Sequence, residues 1–518
     1  MHTLKRFTEN IGWLVIGTVF SNIISIIVTV LIIRKLPVED FGIYSLFIGS
    51  LTILSIFSIN GILLALRRYI PELLQKQYFS FHKSIIIRLY LISVIVMFIL
   101  VVIAFLFKRE LRIILNIPKF EVYYSIFIIN IFLYLQITIS QDILNSLFEQ
   151  KFLTIVGLIG IIIRGILYAI FISNLTIELI FILEAVSIAI RAVPSVLYVY
   201  KKITKLTTGN DMGISAHEKQ DFMKRIKRYT LLSTANEIGE GGFSQISDYY
   251  FVSAYLGPYA LGLYAFPYKM LNYLFNWIPI GKMNELFKLY FIKKYYEKNE
   301  NKIYLTSMFN FLLKIYFLFY GIIIAAILSY QKLFQVYVFD SKYLSTQLLV
   351  AIILIFSFER AIGFPTHIII EIKEKIEYTL YAKIFAVFNV LAVILVLQYT
   401  NWGLIGVAFA TGISGFLRFF YLFIIIIKMN NIKLLYLDFV KIFLLLISIG
   451  LIAYLPSLAN NLIIQIFLPA LLGGISFLTL YRLIKPFNKN EEIMLSGFFE
   501  KISIKMNIIS KVLALNHS

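Results

Sequence analysis

The chain has 518 residues, of which 60% are hydrophobic, 16% aromatic and 15% charged, with 48 Lys and Arg against 28 Asp and Glu for a net charge of +20. Soluble globular proteins are closer to half apolar and a quarter charged, so this composition excludes a soluble enzyme and a disordered scaffold. With no cysteine, it also excludes a disulfide framework and any thiolate metal or redox site.

A mean hydropathy of +0.86 with long Ile, Leu and Phe runs predicts a chain mostly dissolved in lipid, where helices of about 20 apolar residues satisfy their own backbone groups. In chain order the runs at 11–33, 43–66, 85–107, 123–144, 152–172 and 177–200 predict six helices. The first follows the basic MHTLKRFTEN, but it is longer than a signal-peptide core and lacks a small-x-small cleavage site, so it is read as a retained span. A basic loop, 201–228, precedes six more runs at 229–256, 260–280, 305–328, 346–370, 378–397 and 402–427, and a last pair follows at 439–455 and 458–480. The segment 486–518 mixes apolar residues with Lys501, Lys505 and Lys511 and predicts an amphipathic tail on the membrane surface. The expected fold is an all-α polytopic membrane protein of about 14 helices. Its expected parts are a six-helix bundle (1–200), a cytoplasmic linker (201–228), a second bundle (229–428), two added helices (429–485) and the tail (486–518).

Charge placement sets the orientation. With both termini inside, 33 of the 48 cations fall in cytoplasmic segments, eight fall outside (Arg34, Lys35, Lys108, Arg109, Arg112, Lys119, Lys332 and Lys342) and seven lie within spans. This is the asymmetry of the positive-inside rule. It accounts for most of the +20 without nucleic acid and implies attraction to anionic cytoplasmic lipid.

The turn after the first span, LPVEDFGIY (36–44), lies over LGPYALGLY (256–264) after the seventh, at a constant offset of 220 that pairs Gly42 with Gly262 and Tyr44 with Tyr264. Each half holds an even number of spans, so the two copies share one orientation and imply a pseudo-two-fold axis along the membrane normal, with a central cavity that opens alternately to each side. The opening span, LPVEDFGIYSL after it, RRYIPELL (67–74) and NWGLIGVAFATGIS (401–414) resemble Wzx-type polysaccharide and O-antigen flippases, relatives of MurJ flippases and MATE antiporters. The resemblance implies ion-driven transfer of a polyprenyl-pyrophosphate-linked oligosaccharide from the cytoplasmic to the outer leaflet of a bacterial inner or archaeal membrane. It also implies membrane lipids, a polysaccharide polymerase and glycosyltransferases as partners, and no cofactor beyond a coupling H⁺ or Na⁺.

The intramembrane cations are Arg164, Arg191, Lys269, Lys314, Arg360, Lys383 and Arg418. A charge at mid-bilayer costs at least about 2.5–3.5 kcal/mol and so faces a cavity or a partner. Arg164, Arg191, Lys269, Arg360, Lys383 and Arg418, with Arg67 and Arg68 at a cytoplasmic helix end, are the candidate ligands of a pyrophosphate and acidic sugars. Equally, each Arg could pair with a Glu and lock helices together, and Lys314 could serve packing. Ser233, Glu237, Glu240, Ser244 and Asp248 follow helical spacing, and Glu237, Glu240 and Asp248 are the candidate ion-coupling carboxylates. Gly239, Gly241 and Gly242 would let that helix bend. The five histidines lack metal-ligand spacing, and no nucleotide-binding or nucleophile triad appears. A MATE-like exporter of cationic drugs would prefer an acidic cavity, and a membrane polymerase or glycosyltransferase would carry a large external loop, so both are secondary readings.

Overall fold

The computed structural model describes residues 2–75, 79–205, 215–241, 245–277, 301–373, 377–459 and 461–488, together with isolated positions from 288 to 297, Lys375 and Glu491. The described residues are helical, and no strand occurs among them. Eleven helical segments among them are long and apolar enough to cross a membrane. The other predicted spans fall on the first helix, α1 (His2–Lys35), and on two consecutive helices, α9 (Ala216–Gly241) and α10 (Gln245–Trp277). The middle of the linker, Ser244 and Gly242 of the predicted polar helix, and all of the tail after Asn488 except Glu491 lie outside the described residues.

Contacts divide the chain into two units, one of residues 1–266 and 389–407, the other of 267–388 and 408–518. The first unit contains α1, α2 (Val38–Ser58), α3 (Asn60–Gln75), α4 (Phe79–Leu106), α5 (Lys108–Leu115), α6 (Phe120–Ser146), α7 (Gln150–Ile170), α8 (Ile177–Lys205), α9 and the start of α10. In its core, Phe47 of α2 meets Phe120 and Phe127 of α6 and Phe181 of α8 at ring-centroid distances of 5.5, 4.9 and 5.2 Å. The sequence expects a second bundle from 229, whereas α9 and α10 to Phe266 pack with the first. The reason is apolar: Phe222 and Ile226 on the first turns of α9 are buried with Ala65, Tyr69 and Leu73 of α3 and with Phe81 and Ile85 of α4.

The second unit is built along α11 (Lys302–Leu333), capped at its start by Asn301, whose side chain accepts from the backbone N–H groups of Ile303 and Tyr304. Around it stand α12 (Gln347–Ser357), α13 (Glu359–Ile372), α17 (Tyr436–Tyr454) and α18 (Leu462–Ile484). The unit also holds α14 (Glu377–Tyr381) and parts of α15 (Ile384–Tyr399) and α16 (Gly403–Asn430).

Three runs expected as single helices are interrupted. The run 43–66 breaks at Ile59, which closes α2 with φ −130° and ψ −25°. The run 346–370 divides at Phe358, where the amides of Phe358 and Ala361 bond three residues back to Ile355 and Phe358. The run 378–397 divides at residues 382–383, where the amides of Lys383 and Ala386 bond to Leu380 and Lys383. These are local tightenings to i→i+3 pairing.

The continuous run of α10 turns at Gly257, whose φ of 82° and ψ of 172° suit glycine alone. This is the position that the 220-residue offset pairs with Pro37, the turn before α2. The two turns touch: a Cβ on Gly42 would overlap the Pro258 carbonyl oxygen, and a Cβ on Gly262 would overlap the Val38 carbonyl oxygen. Val38 and Pro258 are themselves 220 residues apart, so the contact is reciprocal and keeps the register of the repeat. Helices approach this closely in lipid only where side chains are absent. Gly262→Ala is therefore expected to destabilise the protein by about 1–3 kcal/mol through overpacking against backbone. Gly474→Ala on α18, where a Cβ meets nothing within 4 Å, should be neutral or slightly stabilising. Thermal unfolding of the two variants in detergent checks the contrast.

Candidate functional site

The first unit carries a charge cluster where α7 meets α8. Arg164 is only 13% exposed, and its guanidinium donates to Glu184 through Nη2 at 2.5 Å and Nε at 2.9 and 3.1 Å. Tyr168, one turn along α7, donates its hydroxyl to the same carboxylate at 2.8 Å, and its ring centroid lies 5.4 Å from the Arg164 guanidinium carbon. Glu184 is thus fully engaged by the helix opposite. Arg191 lies two turns further along α8, and its stem crosses Gly160 of α7, where any Cβ would overlap it. Its Nε donates to the Ser187 carbonyl at 3.3 Å, and no carboxylate lies within 4 Å among the described residues. Arg164, Glu184 and Tyr134 are within electrostatic range of it. Two guanidinium groups therefore share one carboxylate at membrane depth, leaving the cluster one positive charge in excess.

The second unit presents Arg360 and Arg418. Arg360 is exposed at the start of α13, with its guanidinium carbon 5.7 Å from the Phe275 ring centroid and no carboxylate within 4 Å among the described residues. Arg418 on α16 is buried, 5.1 Å from the Phe419 ring centroid. The Glu359 carboxylate rests against Gly415, one turn before Arg418, where a Cβ would overlap it. Lys269 and Lys383 are half-buried, and Lys383 sits at the interruption before α15. Lys314 is fully buried and bonds to Asp438 at 2.6 Å and Glu491 at 2.9 Å. Glu491 and Asn488 exchange backbone-to-side-chain bonds of 2.8 and 2.9 Å. Lys314 thus ties the region around the last two helices to α11.

The remaining candidates have separate partners. Arg67 makes a bidentate bond to Asp142 of α6 at 2.7 and 2.9 Å. Arg68 pairs with Glu72 at 3.5 Å, a carboxylate it shares with Arg225 of α9. Glu237 accepts from the Asn60 amide at 3.1 Å, and Asn60 accepts from Ser55 at 2.7 Å. Asp248 is fully buried and accepts from the Tyr264 hydroxyl at 2.7 Å. Glu240 is half-buried. The structure does not gather Glu237 and Asp248 on one partner: Glu237 is held by Asn60 beside the interruption at Ile59, and Asp248 by Tyr264 within α10. Sequence reasoning missed Glu184, Asp142, Asp438 and Asn60. A signal existed for Glu184, an acid in the interior of the run 177–200, seven residues before Arg191.

The sequence profile of the polysaccharide biosynthesis protein family matches residues 7–278. The chain belongs to this family. Its fold is that of the lipid II flippase MurJ in an inward closed conformation, with a TM-score of 0.60 at 19% identity over 90% of this chain and 98% of that one. It is also that of an inward-facing multidrug resistance MATE family transporter of the MOP superfamily, with a TM-score of 0.59 at 13% identity over 79% and 94%. No curated protein matches the chain in sequence. This member of the polysaccharide biosynthesis family is thus a multi-pass membrane protein with a transporter fold; Arg191 and Arg360, two predicted-span cations with no carboxylate within 4 Å among the described residues, lie one in each unit.

The two arginines of the α7–α8 cluster should separate on substitution. Glu184→Ala leaves Arg164 largely buried and unpaired and is expected to cost about 3–5 kcal/mol. Arg191→Ala removes a cation that no carboxylate satisfies and should change stability by less than about 1 kcal/mol. Unfolding temperatures of the purified variants read the difference.

Proposed function

We propose that the protein is a flippase that carries a polyprenyl-pyrophosphate-linked oligosaccharide from the cytoplasmic to the outer leaflet by ion-coupled alternating access. The observation that carries this reading is Arg191, a guanidinium within a predicted span that donates to a backbone carbonyl and feels Glu184 only at longer range, because that carboxylate is bonded to Arg164. A charge so placed is retained against its desolvation cost when it meets a ligand, and a planar guanidinium suits a phosphoryl group. Family membership and the transporter fold support a lipid-linked cargo. The excess of intramembrane cations would repel the cationic drugs of a multidrug exporter.

In this mechanism Arg191 and Arg360, with Lys269, Lys383 and Arg418, bind the pyrophosphate and acidic sugars, while the isoprenoid tail stays in lipid. Arg164 is a positioning residue that fixes α7 against α8. Arg67 and Arg68 meet the headgroup at the cytoplasmic mouth, where Asp142 and Glu72 release them to it. Glu237, Glu240 and Asp248 take up the coupling H⁺ or Na⁺, since a carboxylate removed from water gains affinity for a cation. Both termini lie in the cytoplasm, and the polymerase and glycosyltransferases that use the flipped unit are its partners.

Reconstitution in proteoliposomes with a fluorescent short-chain polyprenyl diphosphate oligosaccharide tests the reading. Arg191→Ala and Arg360→Ala should each lower the flipping rate at least about tenfold at unchanged protein level, the loss of roughly one charge-assisted contact. Glu237→Gln should lower the response to an imposed ion gradient. Wild-type rates in both arginine variants would overturn the cationic path.

A further inference from the structure

The charge count leaves a question that the transport path does not absorb. The positive-inside rule keeps cations off the external side, yet four of the eight external ones, Lys108, Arg109, Arg112 and Lys119, fall within residues 108–119. They cluster on α5 and the turn that follows it, at the end of α4 opposite the Arg68–Glu72–Arg225 group.

The turns around α5 are built rather than loose. Asn116 ends the helix in the left-handed region, with φ of 53°. Leu115 and Ile117 on either side of it are buried, and the Leu115 carbonyl accepts from the Ser253 hydroxyl of α10 at 2.6 Å. Above this anchor a cavity of about 830 Å³ is lined by Arg109, Arg112, Asn116, Pro118 and Glu121. Ile113 and Ile114 are 79% and 59% exposed and continue the exposed apolar end of α4 at Leu106 and Phe107. Ile113, one turn after Arg109, lines the same cavity, so this short helix sets cations beside bare isoleucines, the amphipathic character of an interfacial segment.

The four cations differ in what already holds them. Lys108 sits over the Phe105 ring at 4.5 Å. Lys119 is within electrostatic range of Asp40, which Glu39 and Glu178 also face. Arg112 meets Glu121 at 3.4 Å in an exposed, weak pair. Arg109 has no carboxylate within 4 Å among the described residues. Of the two guanidinium groups lining the cavity, Arg109 is thus without a carboxylate among the described residues and Arg112 is held by an exposed pair that a phosphate can displace.

We propose that this cavity binds the phosphate-bearing headgroup of an outer-leaflet lipid, with Arg109 and Arg112 on the phosphoryl oxygens, the Asn116 amide beside them and Ile113 and Ile114 against the first acyl carbons. Planar guanidinium groups match phosphate oxygens in pairs, and the isoleucines favour a lipid over a free anion. The site stands on α5, the turn after it and the start of α6, takes its outer-leaflet side from the orientation that the charges set, and holds whether or not the chain flips an oligosaccharide.

Microscale thermophoresis of the full chain in detergent tests it with four probes: dioctanoyl phosphatidylglycerol, dioctanoyl phosphatidic acid, dioctanoylglycerol and inorganic pyrophosphate. Both phosphate-bearing lipids are expected to bind wild type, and R109A/R112A should weaken each at least about tenfold, a change of one decade in Kd. The control pair K332A/K342A should bind as wild type, and Glu121→Gln should bind more tightly because it removes a competing acid. Thermal unfolding verifies that the variants are folded. Equal affinity in R109A/R112A overturns the proposal. Dioctanoylglycerol binding as tightly as the phosphate lipids would reduce the site to an apolar contact and overturns it as well. Pyrophosphate binding as tightly as the lipids would make it a free-anion site, against the proposal.

Discussion

In the hydrocarbon layer no water remains to satisfy a backbone amide or a charged side chain, and each must find its partner within the protein. The backbone meets this demand by becoming helical throughout the described residues. The side chains meet it one at a time. Arg164 closes on Glu184 and Tyr168, Lys314 closes on Asp438 and Glu491, and Asp248 takes the Tyr264 hydroxyl. Arg191 obeys the constraint only in part, through one carbonyl. In a medium that penalises every unsatisfied charge, such an exception carries more functional information than the satisfied pairs around it.

The same constraint explains how much could be read from the sequence. Apolar runs, loop charges and the 220-residue repeat are properties of composition and spacing, so span positions and family were legible. Even the Gly42–Gly262 contact was legible in outline, because a backbone approach that admits no Cβ imposes glycine at the same place in both copies. Ion-pair partners were not legible. Arg67 and Asp142 are 75 residues apart, and Lys314 and Glu491 are 177 apart, so no local pattern joins them. The sequence groups Arg164 with Arg191 as intramembrane cations, but only the packing of α7 on α8 shows which of them holds the carboxylate.

The helix interruptions were hidden for a different reason. Hydropathy averages over a window and is blind to a single loosened turn, and the residues that usually punctuate helices mislead here. Pro71, Pro194, Pro365 and Pro469 all lie inside continuous helices, whereas the interruptions at Ile59, Phe358 and residues 382–383 contain no proline or glycine. Proline inside a membrane helix is tolerated when neighbouring groups take up the freed carbonyl. A break without proline is imposed by tertiary packing instead.

Each of these interruptions has a polar group beside it. Asn60 follows Ile59 and donates to Glu237; Glu359 and Arg360 follow Phe358; Lys383 is itself at the third. Tightened turns leave carbonyl oxygens without their usual helical amide, and at membrane depth such backbone persists only where protein or water covers it. A polar side chain beside the break supplies part of that cover. Of the candidate site residues, Glu237, Arg360 and Lys383 are at or bonded to such breaks, whereas Arg164 lies in mid-helix with its carboxylate partner and belongs to the scaffold. Arg191, also in mid-helix but lacking a carboxylate, reaches polar surroundings only because Gly160 opens the neighbouring helix to its stem. A glycine on one helix and a loosened turn on another thus serve the same physical end, bringing a charge to a place where a ligand or water can meet it.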